Sequence, residues 1–144
     1  MKSVLVIDDI SDLRNSIKEI LTPMNLSIDE ASNGRHGLDM ISSRDYDLVI
    51  TDILMPDLDG TEVLKAISDG NHETRLLAMS GGGKYISCDF ALDVAGFFAD
   101  AIVQKPFDDR DFYDLVKQLL NSDYDRTFLR IGSQQGKHAV NRKR

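Results

Sequence analysis

The sequence predicts an α/β fold in which helices cover both faces of a doubly wound parallel sheet. The first observation is a series of short, apolar, β-branched segments of the kind that form strands buried on both faces. The second is that a segment with apolar residues at helical spacing follows each of them. Five such strand-helix units in sequence imply right-handed crossovers and parallel strands. The length of 144 residues suits one domain of this class.

The five predicted strands occupy residues 4–7, 26–31, 48–51, 75–79 and 101–104. The first is the continuous apolar run Val4-Leu5-Val6-Ile7, and the third, Leu48-Val49-Ile50-Thr51, is equally strong. The second strand is the weakest of the set, because polar residues interrupt it. Each segment has the four to eight residues typical of a buried strand.

The predicted helices lie between and after these strands. Leu13, Ile17, Ile20 and Leu21 recur at helical spacing, with Ser11 placed to cap the first helix and Pro23 to end it. The second helix is expected over residues 34–42 and the fourth over about 85–95, after three glycines. In the third predicted helix, Val63, Leu64 and Ile67 are expected to face the core. The last is predicted to be capped by Asp108 and to bury Phe112, Leu115, Val116 and Leu119.

A five-stranded sheet of this class suits the flavodoxin-like strand order 2-1-3-4-5, in which ligands bind at the carboxyl ends of the strands. The predicted domain covers residues 1–120. Residues 121–144 are expected to form a basic C-terminal tail that is flexible or extends the last helix.

Composition excludes several classes of function. Residues 1–120 hold 11 Lys and Arg against 22 Asp and Glu, so this part of the chain repels nucleic acid. The single cysteine, Cys88, cannot form an internal disulfide. No apolar run reaches the ~18 residues of a membrane span, and the N-terminus does not look like a secretory signal. A cytoplasmic location is therefore expected.

Polar side chains follow four of the predicted strands and should meet at one edge of the sheet. They are Asp8, Asp9, Asp52, Ser80 and Lys105. Carboxylates held within ~4 Å of one another repel by several kcal/mol, which a hard cation relieves. Oxygen ligands favour Mg²⁺, and one carboxylate beside the metal could attack a phosphoryl group. The arrangement predicts a phosphoaspartate site.

Four segments at successive strand ends carry a family resemblance: VLVIDD (4–9), DLVITDILMPDLDG (47–60), LLAMSG (76–81) and IVQKPF (102–107). In this order and spacing they resemble the receiver domain of two-component response regulators. The resemblance implies that Asp52 accepts the phosphoryl group, that Asp9 binds Mg²⁺ directly and that Asp8 does so through water. It further implies a metal contact from the backbone carbonyl of Leu54.

The same resemblance implies that the Ser80 hydroxyl acts as a switch, that Lys105 contacts the phosphate and that the Lys105-Pro106 bond is cis. It also implies a sensor histidine kinase or a histidine phosphotransfer protein as the phosphoryl donor. Such a protein is a phosphoacceptor that catalyses its own phosphorylation and dephosphorylation rather than an enzyme acting on other substrates. Because only 24 residues follow residue 120, we expect a stand-alone regulator that acts through protein contacts and does not bind DNA.

Two departures from the family pattern bear on mechanism. Ile102 stands where the family often has an aromatic residue that swings inward on activation, so no aromatic switch is expected here. Leu54 stands where the family tunes hydrolysis, and its apolar side chain cannot orient a water molecule, which leaves the phosphoryl lifetime open.

Two other functions remain as alternatives. Asp57-Leu58-Asp59-Gly60-Thr61 resembles the nucleophile loop of haloacid-dehalogenase-type phosphatases, in which Asp57 would be the nucleophile. In that family, however, the first aspartate directly follows a strand, whereas Met55 and Pro56 intervene here. An inactive, receiver-like interaction module is the second alternative. The sequence leaves open the cognate kinase, the output target and whether the face formed by the predicted fourth helix, fifth strand and last helix forms a homodimer.

Overall fold

The computed structural model describes residues 1–53, 60–70, 73–81, 99–121, 127–132 and 135–141. Its strands form one sheet in the order β2-β1-β3-β4-β5-β6-β7. They are β1 (Ser3–Ile7), β2 (Ser27–Ala31), β3 (Leu48–Asp52), β4 (Arg75–Ser80), β5 (Ala101–Gln104), β6 (Thr127–Gly132) and β7 (Gln135–Asn141). The described α-helices are α1 (Ser11–Leu21), α2 (Gly34–Ser43), α3 (Gly60–Gly70) and α4 (Asp109–Leu119), and a short 3-10 helix at Thr22–Met24 follows α1. The parallel order 2-1-3-4-5 predicted for the first five strands is confirmed.

Successive residues of the central strands pack on opposite faces of the sheet, as expected for strands buried on both sides. On one face Leu5, Ile7 and Val49 pack in a core with Val63 and Ile67 of α3. The other face has its own core, which includes Val4, Val6, Ile50, Ile17 of α1 and Phe112 of α4. The two layers of helices fix the central strands between them, and the ends of these strands carry the predicted site.

Two helix starts differ in how closely they follow the prediction. Asp108 caps α4 as expected, since its side chain accepts hydrogen bonds from the amides of Arg110 and Asp111. The four apolar residues predicted to face inward on this helix are all buried. In α1 the predicted cap Ser11 is wrong: the helix begins at Ser11, and its N-cap is Ile10, which has no side-chain cap. The Ile10 amide instead donates to Oδ1 of Asp8 at 2.8 Å, so this helix start is tied to the predicted site.

Gly37 permits the close approach of α2 to β1. A Cβ atom at this position would collide with the side chain of Ile7, the last residue of β1. Glycine therefore lets the helix lie against the strand that leads into Asp8 and Asp9.

The expectation of a flexible tail or a helix extension after residue 120 is wrong for the described part of the C-terminal segment. Residues 127–132 and 135–141 are two antiparallel strands, β6 and β7. We call this pair the C-terminal hairpin. β6 pairs in parallel with β5, from Ala101 opposite Leu129 to Val103 opposite Ile131. The sheet thus extends beyond the predicted five strands.

In the described ranges no helix is long and apolar enough to cross a membrane. The helix predicted over about 85–95 lies outside the described residues.

Candidate functional site

The carboxyl ends of β1 and β3 bring three acidic side chains together. Asp8 and Asp9 directly follow β1, and Asp52 is the last residue of the neighbouring strand β3. Each of the three offers a carboxylate oxygen, and these oxygens lie within 4.8 Å of one another. Asp8 and Asp52 are buried, whereas Asp9 is exposed. The cluster therefore opens to solvent on the Asp9 side.

Lys105 supplies the positive charge next to two of these acids. Its Nζ donates to Oδ2 of Asp52 at 2.9 Å and lies 3.3 Å from Oδ2 of Asp8. The backbone amide of Lys105 also donates to the carbonyl of Ser80 at 2.7 Å, and the Lys105-Pro106 peptide bond is cis, as predicted. We call Asp8, Asp9, Asp52 and Lys105 the acidic rim. Its lysine can neutralise an oxygen anion that forms on Asp52.

The environment of Asp8 works against its negative charge. Burial is the largest influence and raises the pKa of Asp8 above its ordinary value, and the neighbouring charge of Asp52 raises it further. The hydrogen bond from the Ile10 amide and the ammonium of Lys105 lower this pKa, but by less. A buried carboxylate that is costly to ionise is a group that a bound cation would stabilise.

Ser80 is placed at the same edge by β4. It is the last residue of that strand, which pairs with β3 on one side and β5 on the other, and it is fully buried. Asp52 lies next to Met79 in the register of β3 and β4. The structure thus brings four strand ends together with the predicted types of side chain.

Sequence reasoning missed two residues beside the acidic rim. Nη1 of Arg14 donates to the backbone carbonyl of Asp8 at 2.6 Å, and Nε of Arg14 donates to Oε1 of Glu30 at 3.2 Å. Nothing in the periodicity of α1 separates Arg14 from a solvated arginine on the polar face of a helix. Only the fold brings its side chain back to the end of β1.

Two of the predicted residues lie outside the part of the chain that the structure describes. Leu54, whose carbonyl was the expected further metal ligand, lies outside the described residues. So does Asp57, the nucleophile in the phosphatase alternative. The strand β3 ends at Asp52, and the backbone amide of the next residue, Ile53, donates to the carbonyl of Met79 at 2.9 Å. Asp52 therefore lies at the end of a strand, beside the carboxylates of Asp8 and Asp9.

Comparison with protein families gives one match across most of the chain. Residues 4–117 match the family model described as the response regulator receiver domain. The matched range begins within β1, includes β2 to β5 and ends within α4.

Individual relatives agree with that match. The chain is 31% identical over 121 residues to the chemotaxis protein CheY of Halobacterium salinarum, covering 84% of this chain and 98% of that protein. It is 28% identical over 120 residues to the transcriptional regulatory protein CpxR of Escherichia coli K12, covering 83% of this chain and 50% of CpxR. The chain thus spans about half the length of the CpxR relatives that it matches.

A solved structure with a similar fold was determined with ligands. It is the response regulator protein TrrA from Thermotoga maritima in complex with Mg²⁺-BeF, with a TM-score of 0.69 and 33% sequence identity. The alignment covers 83% of this chain and 99% of TrrA.

Proposed function

The chain belongs to the response regulator receiver family, and from this premise we propose that Asp52 accepts a phosphoryl group from a phosphohistidine. The donor would be a sensor histidine kinase or a histidine phosphotransfer protein. The observation that carries the proposal is the contact between Asp52 Oδ2 and Lys105 Nζ at 2.9 Å, beside the carboxylates of Asp8 and Asp9. This combination offers a nucleophile, a counter-charge and metal ligands at one place.

In the proposed transfer, a carboxylate oxygen of Asp52 attacks the phosphorus atom. The phosphorus-nitrogen bond of the donor breaks, its electron pair returns to the imidazole, and an aspartyl phosphate forms. The ammonium of Lys105, which already donates to Asp52, would shift to an oxygen of the new phosphoryl group. The Ser80 hydroxyl would donate a hydrogen bond to the same group.

The donor set of the acidic rim fits Mg²⁺. Three carboxylates supply the hard oxygen ligands that this ion prefers, and the exposed Asp9 leaves room for water and a phosphate oxygen. Asp8, Asp9 and Asp52 would hold the ion, with the carbonyl of Leu54 as the expected further ligand. When bound, the ion offsets the negative charge that repels an incoming phosphoryl group.

The same residues support self-catalysis. Because the nucleophile, the ammonium and the metal ligands all belong to this chain, a small phosphoryl donor should suffice without a kinase. This is the sense in which the protein would catalyse its own phosphorylation, and dephosphorylation would follow by attack of water on the aspartyl phosphate.

For the output, we propose contacts with another protein in the cytoplasm, without DNA binding by this chain. The proposal of a stand-alone regulator follows the likeness to a chemotaxis protein; CpxR, which the chain also resembles, is a transcriptional regulatory protein. A homodimer through β5 and the helices predicted before and after it would have to accommodate the C-terminal hairpin, which pairs with β5.

The experiment is to incubate the protein with acetyl phosphate and Mg²⁺, reduce the aspartyl phosphate with borohydride and map the modified residue by mass spectrometry. We expect the label on Asp52, no label in Asp52→Asn, and normal labelling in Asp57→Asn. Labelling of Asp57 would support the phosphatase alternative. The absence of label from both acetyl phosphate and a panel of phosphorylated histidine kinases would support the inactive module.

A further inference from the structure

The side chain of Arg14 joins the end of β1 to β2. From α1 it donates one hydrogen bond to the carbonyl of Asp8, at 2.6 Å, and a second to Glu30 on β2, at 3.2 Å. The side chain is only 15% exposed, so these contacts are made by a largely buried side chain. A planar guanidinium that donates in two directions fixes the relative positions of both acceptors.

The carbonyl that Arg14 contacts belongs to the peptide between Asp8 and Asp9. The amide of Asp8 is held as well, because it donates to the carbonyl of Ala31 at 3.1 Å. The backbone of Asp8 is therefore linked to β2 in two ways. Its amide bonds directly to Ala31 of β2, and its carbonyl is linked to Glu30 of β2 through the side chain of Arg14. Fixing this peptide fixes the directions in which the side chains of Asp8 and Asp9 leave the chain.

Glu30 is itself held in place. Lys18, one turn further along α1 than Arg14, donates to the second carboxylate oxygen of Glu30 at 2.9 Å. The hydrogen bond from Lys18, and then that from Arg14, lower the pKa of Glu30 below its ordinary value. Glu30 thus remains ionised at neutral pH and keeps its pairing with Arg14.

We infer that Arg14 is a positioning residue for the Mg²⁺ site: it holds the Asp8-Asp9 peptide so that both carboxylates face Asp52. The inference rests on the proposed function, since it concerns the same metal. Arg14 does not touch the metal ligands' carboxylates in this arrangement; it acts through the backbone that carries them. Ligand positioning by neighbouring groups of this kind commonly sets metal affinity.

Charge and positioning make opposite predictions for Arg14. Replacing a cation near three carboxylates by an apolar residue makes the site more negative, which by itself tightens Mg²⁺ binding. Loss of the hydrogen bond to the Asp8 carbonyl frees the peptide and weakens binding. The direction of the change in affinity therefore identifies the role of Arg14.

Lys18 provides the matched control. Lys18→Met and Arg14→Met each remove one positive charge and one partner of Glu30, but only Arg14 contacts the Asp8 carbonyl. We expect about tenfold weaker Mg²⁺ binding in Arg14→Met and unweakened binding in Lys18→Met, measured by NMR titration of the full chain with Mg²⁺. Unchanged or tighter binding in Arg14→Met would overturn the inference, and so would equal weakening in Lys18→Met.

Two further variants complete the test. Arg14→Lys keeps the charge but lacks the two-way donor geometry, so it should also bind Mg²⁺ more weakly, with amide shifts of Asp8, Asp9 and Ile10 altered in the metal-free protein. Wild-type affinity in Arg14→Lys would reject positioning. Asp9→Ala tests the metal site itself and should abolish binding. If Asp9→Ala binds Mg²⁺ normally, the metal assignment falls and the Arg14 inference with it; if Asp9→Ala loses binding and Arg14→Met does not, only the inference falls.

Discussion

The acidic rim and the C-terminal hairpin belong to one sheet but are attached to it in different ways. The aspartates of the rim come from β1 and β3, and each of these strands pairs with a neighbour on both sides and packs against helices on both faces. Among the described residues, the hairpin joins the other strands through β5, with three residue pairs in register. A site at the ends of central strands is thus fixed by many contacts, whereas the hairpin depends on a single edge.

β5 is where the two regions meet. Its far side pairs with β6, and one residue beyond its end lies Lys105, whose ammonium contacts Asp52. The amide of Lys105 is held from the other side, by the carbonyl of Ser80. Because β4 anchors this end of β5, the rim should keep its geometry when the hairpin is lost.

The largest expected effect separates the two regions directly. The double variant Leu129→Pro/Arg130→Pro removes two successive backbone donors of β6, which point to opposite neighbours in a strand. Proline lacks the amide donor, so each substitution removes a ladder hydrogen bond worth ~0.5–1.5 kcal/mol, and the loss of both should detach the hairpin. Hydrogen exchange should then lose protection in β6 and β7, while Mg²⁺ affinity stays at the wild-type value.

Leu129→Ala/Arg130→Ala is the matched control, because it changes the same side chains and keeps both amides. It should retain the protection that the proline variant loses. A parallel loss of Mg²⁺ affinity in the proline variant would mean that the rim and the hairpin form one cooperative unit, contrary to the comparison.

The rim could be predicted from the sequence because its signals are local. Asp8, Asp52 and Lys105 each follow an apolar run, and parallel strands bring such ends to one edge. What the sequence could not provide is the approach of Arg14 to the Asp8 carbonyl, since this contact depends on the path of α1 and on the position of β2.

The hairpin could not be predicted in the same way. The segment Thr127-Phe128-Leu129-Arg130-Ile131 has β-branched and aromatic residues typical of a strand, but the excess of Lys and Arg in residues 121–144 is typical of a solvated terminus. A short apolar run is also compatible with several structures. Its assignment as a strand rests on β5, a partner more than twenty residues away, whose free edge no local pattern reveals.

The second prediction concerns the cost of the buried acid in the rim. Because the folded-state pKa of Asp8 is raised, its contribution to stability is present in acid and is lost as the pH rises through that pKa. Asp8→Asn has no carboxyl group to ionise, so it avoids the stability that wild type loses when Asp8 ionises. The side-chain oxygen of the asparagine can still accept a hydrogen bond from the Ile10 amide. The metal-free variant should therefore be more stable than wild type at neutral pH, by on the order of 1 kcal/mol.

Urea unfolding in the presence of a chelator measures this difference. The gain should disappear in acid, where Asp8 is protonated in both the folded and unfolded states. Added Mg²⁺ should stabilise wild type but not the variant. If Asp8→Asn were less stable than wild type at neutral pH, the ion pair with Lys105 would outweigh the cost of burial.

The smallest expected effect concerns how the rim communicates with β5. Ile102 is 1% exposed and packs in the core beneath the sheet, and a β-branched side chain is stiff about χ1. Because Ile102 is already buried, its side chain cannot move inward on activation. Activation should therefore depend on Ser80 instead. Ile102→Val should cost only ~0.5–1.5 kcal/mol of stability and leave the response to the phosphoryl group intact.

Beryllofluoride with Mg²⁺ imitates the phosphoryl group, and amide shifts along β4 and β5 report the response. Ser80→Ala removes the hydroxyl that would bond to that group at the end of β4, so the shift changes in β5 should shrink, while Ile102→Val keeps them at wild-type size. The reverse result, a response lost in Ile102→Val and kept in Ser80→Ala, would place the coupling in the core beneath β5. The hairpin, which pairs with Ile102 through Arg130, would then lie directly on the path that carries the signal.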